Sequence, residues 1–286
     1  MREEIRLVPV GEAELYLEDV GAADAPVLVT LHGGPGGSSY PFREFLGEEL
    51  SDYRVLYLDQ RGSGRSPRLP PDPRLFTVDA LVEDLEELRH QLGLERWALF
   101  AHGFGAVPAL EYARRFPGAV AGLVVVGPWV HFPWLLSRMW RAAGLGEPPP
   151  DPEEAAGELF SRYSPGELVS RLAFPTAHGR MQKEWVDDGG MLPADDEVLS
   201  LFEANGLWRL DYTPYLLDLG HRPFVLVGDA DGTSFPEQAE AVSDLTGGEL
   251  VVVEGAGHYP WVDRPEEFVS RLYDALDAIF DPGGGP

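Results

Sequence analysis

The stretch Pro26-Val-Leu-Val-Thr-Leu-His-Gly-Gly-Pro-Gly-Gly37 decides the fold. Its first six residues form a near-continuous apolar run of strand length, with no polar alternation. Such a run suits a strand covered on both faces, the condition inside a parallel sheet. Outward from it, Arg54-Val-Leu-Tyr-Leu58, Trp97-Ala-Leu-Phe-Ala101, Gly122-Leu-Val-Val-Val126, Phe224-Val-Leu-Val227 and Leu250-Val-Val-Val253 read the same way. Helical spacing separates them. Val78, Leu81, Val82, Leu85, Leu88 and Leu92 follow a Thr77 cap, and Phe268, Leu272, Leu276 and Ile279 follow Pro265, a favourable first helical residue. Strand alternating with helix is the α/β pattern. Upstream, Ile5 and Leu7, then Leu15 and Leu17, alternate with polar residues around Gly11, which predicts an opening hairpin. Pro9 cannot donate to a ladder, so its strand is expected at a sheet edge. The alternation breaks after Trp129, where helical pieces and Pro-rich joints replace strands. The expected organisation is a core over 1–128 and 216–286 with a helical cap over 129–215.

The 286 residues carry 22 basic and 48 acidic side chains, a net charge of −26. That balance argues against nucleic acid and anionic membrane as partners. With no cysteine there is no disulfide, no thiolate catalysis and no Cys-ligated metal site, and the seven histidines show no metal-ligand spacing. No cofactor is called for. Met1-Arg2-Glu3-Glu4-Ile5 offers no apolar signal region and no apolar run reaches bilayer length, so a cytoplasmic protein is expected. Lys183 is the only lysine beside 21 arginines, and 26 prolines without cysteine suit a thermophile.

Two loops follow buried strands directly. His32-Gly-Gly-Pro-Gly-Gly37 brings backbone close to something, either for a tight turn or to aim N–H groups at a developing oxyanion. Asp59-Gln-Arg-Gly-Ser-Gly-Arg-Ser66 is the second. Together, at this spacing, they closely resemble the prolyl iminopeptidase family of α/β-hydrolases. The resemblance covers the core and is thin over the cap. It implies an α/β-hydrolase fold, a mostly parallel sheet flanked by helices with a helical cap insertion. It also implies release of N-terminal proline from a small peptide or amide-like molecule by a Ser-Asp-His triad in that chain order.

Two triad members can be carried over. Asp231, in the acidic loop after the strand ending at Val227, matches the family's acid, with Asp229 as local competitor, and His258 in Glu254-Gly-Ala-Gly-His258 matches the base. The third cannot. The family's elbow is G-x-S-x-G, and here Ala101-His-Gly-Phe-Gly105 puts Gly103 at the nucleophile position. Glycine has no side chain to acylate. Ala101 departs from the pattern as well, which favours natural divergence over a single knockout. Ser38, Ser39, Ser63 and Ser66 lie in neighbouring loops and none is on the elbow, while His102 is expected to point away from Gly103. The resemblance implies oxyanion donors at the backbone N–H of Gly34 and Phe104. It nominates Glu203, in Leu201-Phe-Glu-Ala-Asn205, to hold a substrate ammonium, against the plainer reading of a solvated helix carboxylate. His32, His90, His131, His178 and His221 read as structural. Five of the seven tryptophans (129, 134, 140, 185, 208) fall in the cap, for a pocket or for the cap's own core. Three functions stay open: weak hydrolysis through a water activated by His258 and Asp231, binding of a small apolar or amino-terminal ligand without catalysis, and lyase-like acid–base chemistry at His258.

Overall fold

The computed structural model describes residues 2–181 and 195–281. Eight strands, β1 (Arg2–Val10), β2 (Ala13–Gly21), β3 (Val27–Leu31), β4 (Arg54–Asp59), β5 (Trp97–His102), β6 (Val120–Val126), β7 (Phe224–Gly228) and β8 (Glu249–Val253), form one sheet in the order β1-β2-β4-β3-β5-β6-β7-β8. From β4 to β8 all pairings are parallel, whereas β2 runs antiparallel to both β1 and β4. The hairpin closes the sheet at one edge, and Pro9 lies in its outer strand, where no second ladder needs its missing N–H.

Helices α1 (Tyr40–Leu46), α2 (Val78–Gln91) and α3 (Ala106–Arg115) follow β3, β4 and β5. Thr77 caps α2, its hydroxyl accepting from Ala80 N at 3.1 Å. Between β6 and β7 the described chain carries α4 (Phe132–Ala142), α5 (Pro152–Phe160), α6 (Pro165–Ala173) and α7 (Asp196–Glu203). The only β pairing described there is an isolated bridge between His131 and Asp211. Then α8 (Phe235–Thr246) follows β7, and α9 (Pro260–Asp263) and α10 (Pro265–Phe280) follow β8. Two cores fill the two faces of the sheet: one around Val29, Leu31, Leu99 and Val125, the other around Leu28, Phe100, Val124 and Leu226. These residues alternate along β3, β5 and β6, as side chains of doubly covered strands must. β8 departs from that expectation. It is an edge strand, and Val252 is 42% exposed, because only β7 flanks it.

No described helix is long and apolar enough to cross a membrane.

The Asp59 motif loop acts as a brace for the Gly-rich loop. Asp59 is fully buried. Its Oδ1 accepts from Ser39 N and Ser39 Oγ, both at 2.7 Å, and its Oδ2 from Arg65 N at 2.8 Å and Arg65 Nε at 2.7 Å. Gln60 N donates to His32 Nε2 at 2.9 Å, so the His32 proton sits on Nδ1 and donates to Gly33 O at 2.8 Å. Arg61 forms a buried fork with Asp84 of α2, at 2.7 and 2.6 Å. Burial pushes the Asp59 carboxyl upward, but Arg65, His32 and Ser39 outweigh it and hold it below the usual range. A carboxyl depressed in the folded state stabilises fully above its unfolded pKa of 3.8 and loses that contribution as pH falls through the lower folded value. Asp59→Asn is therefore expected to cost about 3 kcal/mol at pH 7, and the gap to the unmodified protein should narrow below about pH 4. Urea midpoints at pH 7 and pH 3 measure both. A gap that stays constant between them would refute this assignment.

Candidate active site

β5 is buried along its whole length and runs into a single tight turn, Gly103–Gly105, before α3 begins. Gly103 sits there at φ +54°, in the left-handed region. A Cβ built on it would lie 3.1 Å from His258 Nε2 and 3.5 Å from Gly33 Cα. One point above the turn is thus flanked by the imidazole on one side and the Gly-rich loop on the other. Phe104, the next residue, is buried against Phe202 of α7 and Phe132 of α4, with ring centroids at 5.2 and 6.2 Å.

His258 lies in the loop after β8 and Asp231 in the loop after β7. Nδ1 of His258 donates to Asp231 Oδ2 at 2.8 Å, with both side chains buried. The other carboxylate oxygen accepts from Thr233 N and Thr233 Oγ1, both at 2.8 Å, and Ser234 N at 2.9 Å. Burial alone would raise the Asp231 carboxyl. The facing His258 and the Thr233 donors bring it below its ordinary value. With Nδ1 carrying the proton, Nε2 presents a lone pair toward Gly103. Asp229 takes no part, since its Oδ1 accepts from Gly255 N at 2.7 Å.

The cap seals both loops by main-chain bonds. At the end of α6, Ala173 O accepts from His258 N at 2.9 Å and Leu172 O from Gly232 N at 3.1 Å. Asp195, capping α7, donates its N–H to Gly36 O at 2.9 Å.

Other residues singled out in the sequence settle as follows. His102 is buried beside His258. Its Nε2 donates to the His258 carbonyl at 2.9 Å, its ring lies 4.2 Å from the His258 ring, and burial beside that ring drives its pKa well below normal. It supports His258 from within the protein. Ser39, Ser63 and Ser66 are absorbed in the Asp59 loop network, and Ser38 Oγ is buried without a partner among the described residues. Glu203 ends α7, accepts from Trp208 Nε1 at 2.8 Å, and is raised in pKa by burial. Its described bond is internal to the cap. Trp129, Trp140 and Trp208 belong to the apolar core, Trp134 is 42% exposed, Trp185 lies outside the described residues, and Trp129 also stacks on His258. Of the remaining histidines, His90 pairs with Glu86, His131 accepts from Trp134 N, His221 meets Pro117 O, and His178 is exposed.

A family model described as alpha/beta hydrolase fold matches residues 26–265. The solved structure of a proline iminopeptidase-related protein from Thermus thermophilus is 54% identical, with TM-score 0.92 over 98% of this chain and 99% of that one. A probable proline iminopeptidase of Leptolyngbya boryana is 35% identical over 92% of this chain and 89% of its own length. The chain belongs to the proline iminopeptidase family of α/β-hydrolases. A probable proline iminopeptidase of Streptomyces coelicolor is 32% identical over 63% of this chain, but the match spans only 59% of that protein's length.

Sequence reading missed one residue of this proline-iminopeptidase-family site that the geometry makes indispensable. Gly127 follows β6 at φ +50°, and a Cβ there would lie 2.8 Å from His258 Nδ1 and 3.0 Å from Asp231 Oδ2. The available signal was a glycine ending a buried strand, as at Gly103. Gly127→Ala is expected to force the pair apart and to cost about 1–3 kcal/mol. The downfield Nδ1 proton of His258 in NMR should disappear. A variant that keeps that resonance would show that the pair tolerates the methyl group.

Proposed function

We propose that this chain is a proline-iminopeptidase-like hydrolase in which Gly103 stands where relatives carry the nucleophilic serine, so that a water attacks in its place. The observation that carries the reading is the 3.1 Å between His258 Nε2 and the Cβ position of Gly103. Any water bound there is within hydrogen-bond reach of a base whose tautomer Asp231 fixes. His258 Nε2 takes a proton from this water as its oxygen bonds to the carbonyl carbon of a small peptide or amide-like substrate. The oxyanion accepts from the backbone N–H of Phe104 and Gly34. Nε2–H then returns the proton to the leaving nitrogen as the C–N bond breaks. No acyl-enzyme forms, so turnover is weak. Losing a triad nucleophile lowers kcat by about 10⁶, while the oxyanion donors and binding leave about 10³–10⁴ over water.

The test is turnover of L-proline 4-nitroanilide. The unmodified protein should cleave it slowly and His258→Ala should lose that activity. Gly103→Ser should raise kcat about 100-fold or more, since its hydroxyl would adjoin Nε2, and Gly103→Ser with His258→Ala should fall back. Serine at φ +54° is strained, so Gly103→Ser should also lose about 1–2 kcal/mol, a few degrees in Tm. A folded but inert Gly103→Ser protein would defeat the reading.

A further inference from the structure

Successive residues of the loop bearing the imidazole are held from the cap. Gly257 N donates to Asp263 Oδ2 at 2.8 Å, and the other oxygen of that carboxylate accepts from Thr176 Oγ1 of the cap. His258 N donates to Ala173 O at 2.9 Å. The Tyr259 ring stacks on Phe174, with centroids 4.9 Å apart and planes 7° from parallel. Residues 173–176 therefore lie along residues 257–259, and the Asp263 carboxylate joins the two segments.

Local structure sets up this junction. The short helix α9 turns the chain back after Tyr259, with Asp263 N donating to Tyr259 O at 3.2 Å, and this returns the Asp263 side chain to Gly257. A Cβ on Gly257 would lie 2.4 Å from Ala173 O, so glycine there admits the cap backbone. Thr176 is fixed in turn, because its hydroxyl accepts from Gly179 N at 2.8 Å while it donates to Asp263. Asp229 holds the start of the same loop through Gly255 N, but it does so from the core. Asp263 shares its carboxylate between loop and cap. Gly257 immediately precedes His258, so a shift of Gly257 passes along the backbone to the imidazole, while Thr233 and Ser234 keep Asp231 in place. Misplacing a reacting group by about 1 Å can cost about 10²-fold in rate.

We propose that Asp263 is a positioning residue for His258, and that through Thr176 it ties the orientation of the imidazole to the seating of the cap. The inference rests on the reading of His258 as the base of the site. Asp263 acts through the Gly257 main chain rather than on the substrate.

Variants of the whole chain separate these bonds. Asp263→Ala removes both, and Thr176→Val removes the cap bond alone at nearly the same volume. Asp263→Asn keeps an amide oxygen for Gly257 N and an amide N–H for Thr176 Oγ1. The Nδ1 proton of His258 is followed by NMR, and kcat and KM for L-proline 4-nitroanilide are measured on the same samples. Asp263→Ala should move the Nδ1 proton upfield and lower kcat about tenfold with KM nearly unchanged. Thr176→Val should do the same to a smaller degree, about threefold in kcat. Asp263→Asn should bring both readouts back close to the unmodified protein. A purely structural carboxylate would lower Tm and leave the Nδ1 proton where it was. A folded Asp263→Ala protein with an unmoved Nδ1 proton, or an Asp263→Asn protein no better than Asp263→Ala, would overturn the positioning role. An unmoved proton in Thr176→Val would overturn the link to the cap, and that variant carries the test if Asp263→Ala does not fold. The NMR readout needs no turnover. A proton that moves as expected in a chain that cleaves nothing supports the positioning by Asp263 and defeats the hydrolase reading alone.

Discussion

Asp59 is the anchor on which the site's geometry depends. A buried carboxylate is tolerable only if its lone pairs are filled, and here Ser39 and Arg65 fill them from two different loops. The consequences spread in both directions. Arg65 continues over the Tyr16 ring at 3.9 Å, and Ser66 Oγ bridges Asp59 O and Tyr16 N, so the edge hairpin joins the same polar body. Toward the sheet centre, Gln60 fixes His32 at the root of the Gly-rich loop. That loop then lies against the turn, with Gly33 Cα 3.5 Å from the Cβ position of Gly103. The two motifs that identify the family are thus one scaffold. Asp59 and its neighbours set where the Gly-rich backbone lies, and touch no reacting atom themselves.

The Asp231–His258 pair is built separately, on the loops after β7 and β8. Its fixed point is Asp231 Oδ1, which folds residues 231–234 around itself, and Ser234 Oγ carries the constraint to Pro128 O at 2.8 Å. That bond reaches the segment bearing Gly127 and Trp129. The loops after β6, β7 and β8 therefore hold one another, and α6 closes them with two carbonyls. A cap helix that shares hydrogen bonds with the Asp231 loop and with His258 cannot shift without disturbing both.

Legibility followed the kind of signal each part leaves. The inner strands were plain because double burial demands unbroken apolar, β-branched runs, and β3 to β7 meet that condition. β8 carries the same residue types yet stands at the edge, since composition does not say which strand has one neighbour. Asp231 over Asp229 was legible only through the family resemblance, because both are acidic residues in one short loop. What separates them is backbone geometry, with Thr233 and Ser234 turned toward one and Gly255 toward the other. Gly127 and the carbonyls of Leu172 and Ala173 act through main chain or through the absence of a side chain, so no residue pattern announced them. The tryptophan cluster held two meanings that sequence could not part. Trp129, Trp140 and Trp208 all lie in one apolar core, and Trp129 also stacks on the imidazole of His258, which only packing shows.

The bonds around Gly103 and His258 divide between those that hold the fold together and those left to the imidazole. Gly103 holds φ +54° without the strain that a serine would carry there. Asp231 has a structural duty as well, because its Oδ1 bonds order a buried loop. The His258 backbone is likewise structural, bonded at its N–H by Ala173 and at its carbonyl by His102. The imidazole beyond Nδ1 belongs to none of these networks. Its Nε2 instead lies 3.1 Å from the Cβ position of Gly103, away from the bonds that order the loops.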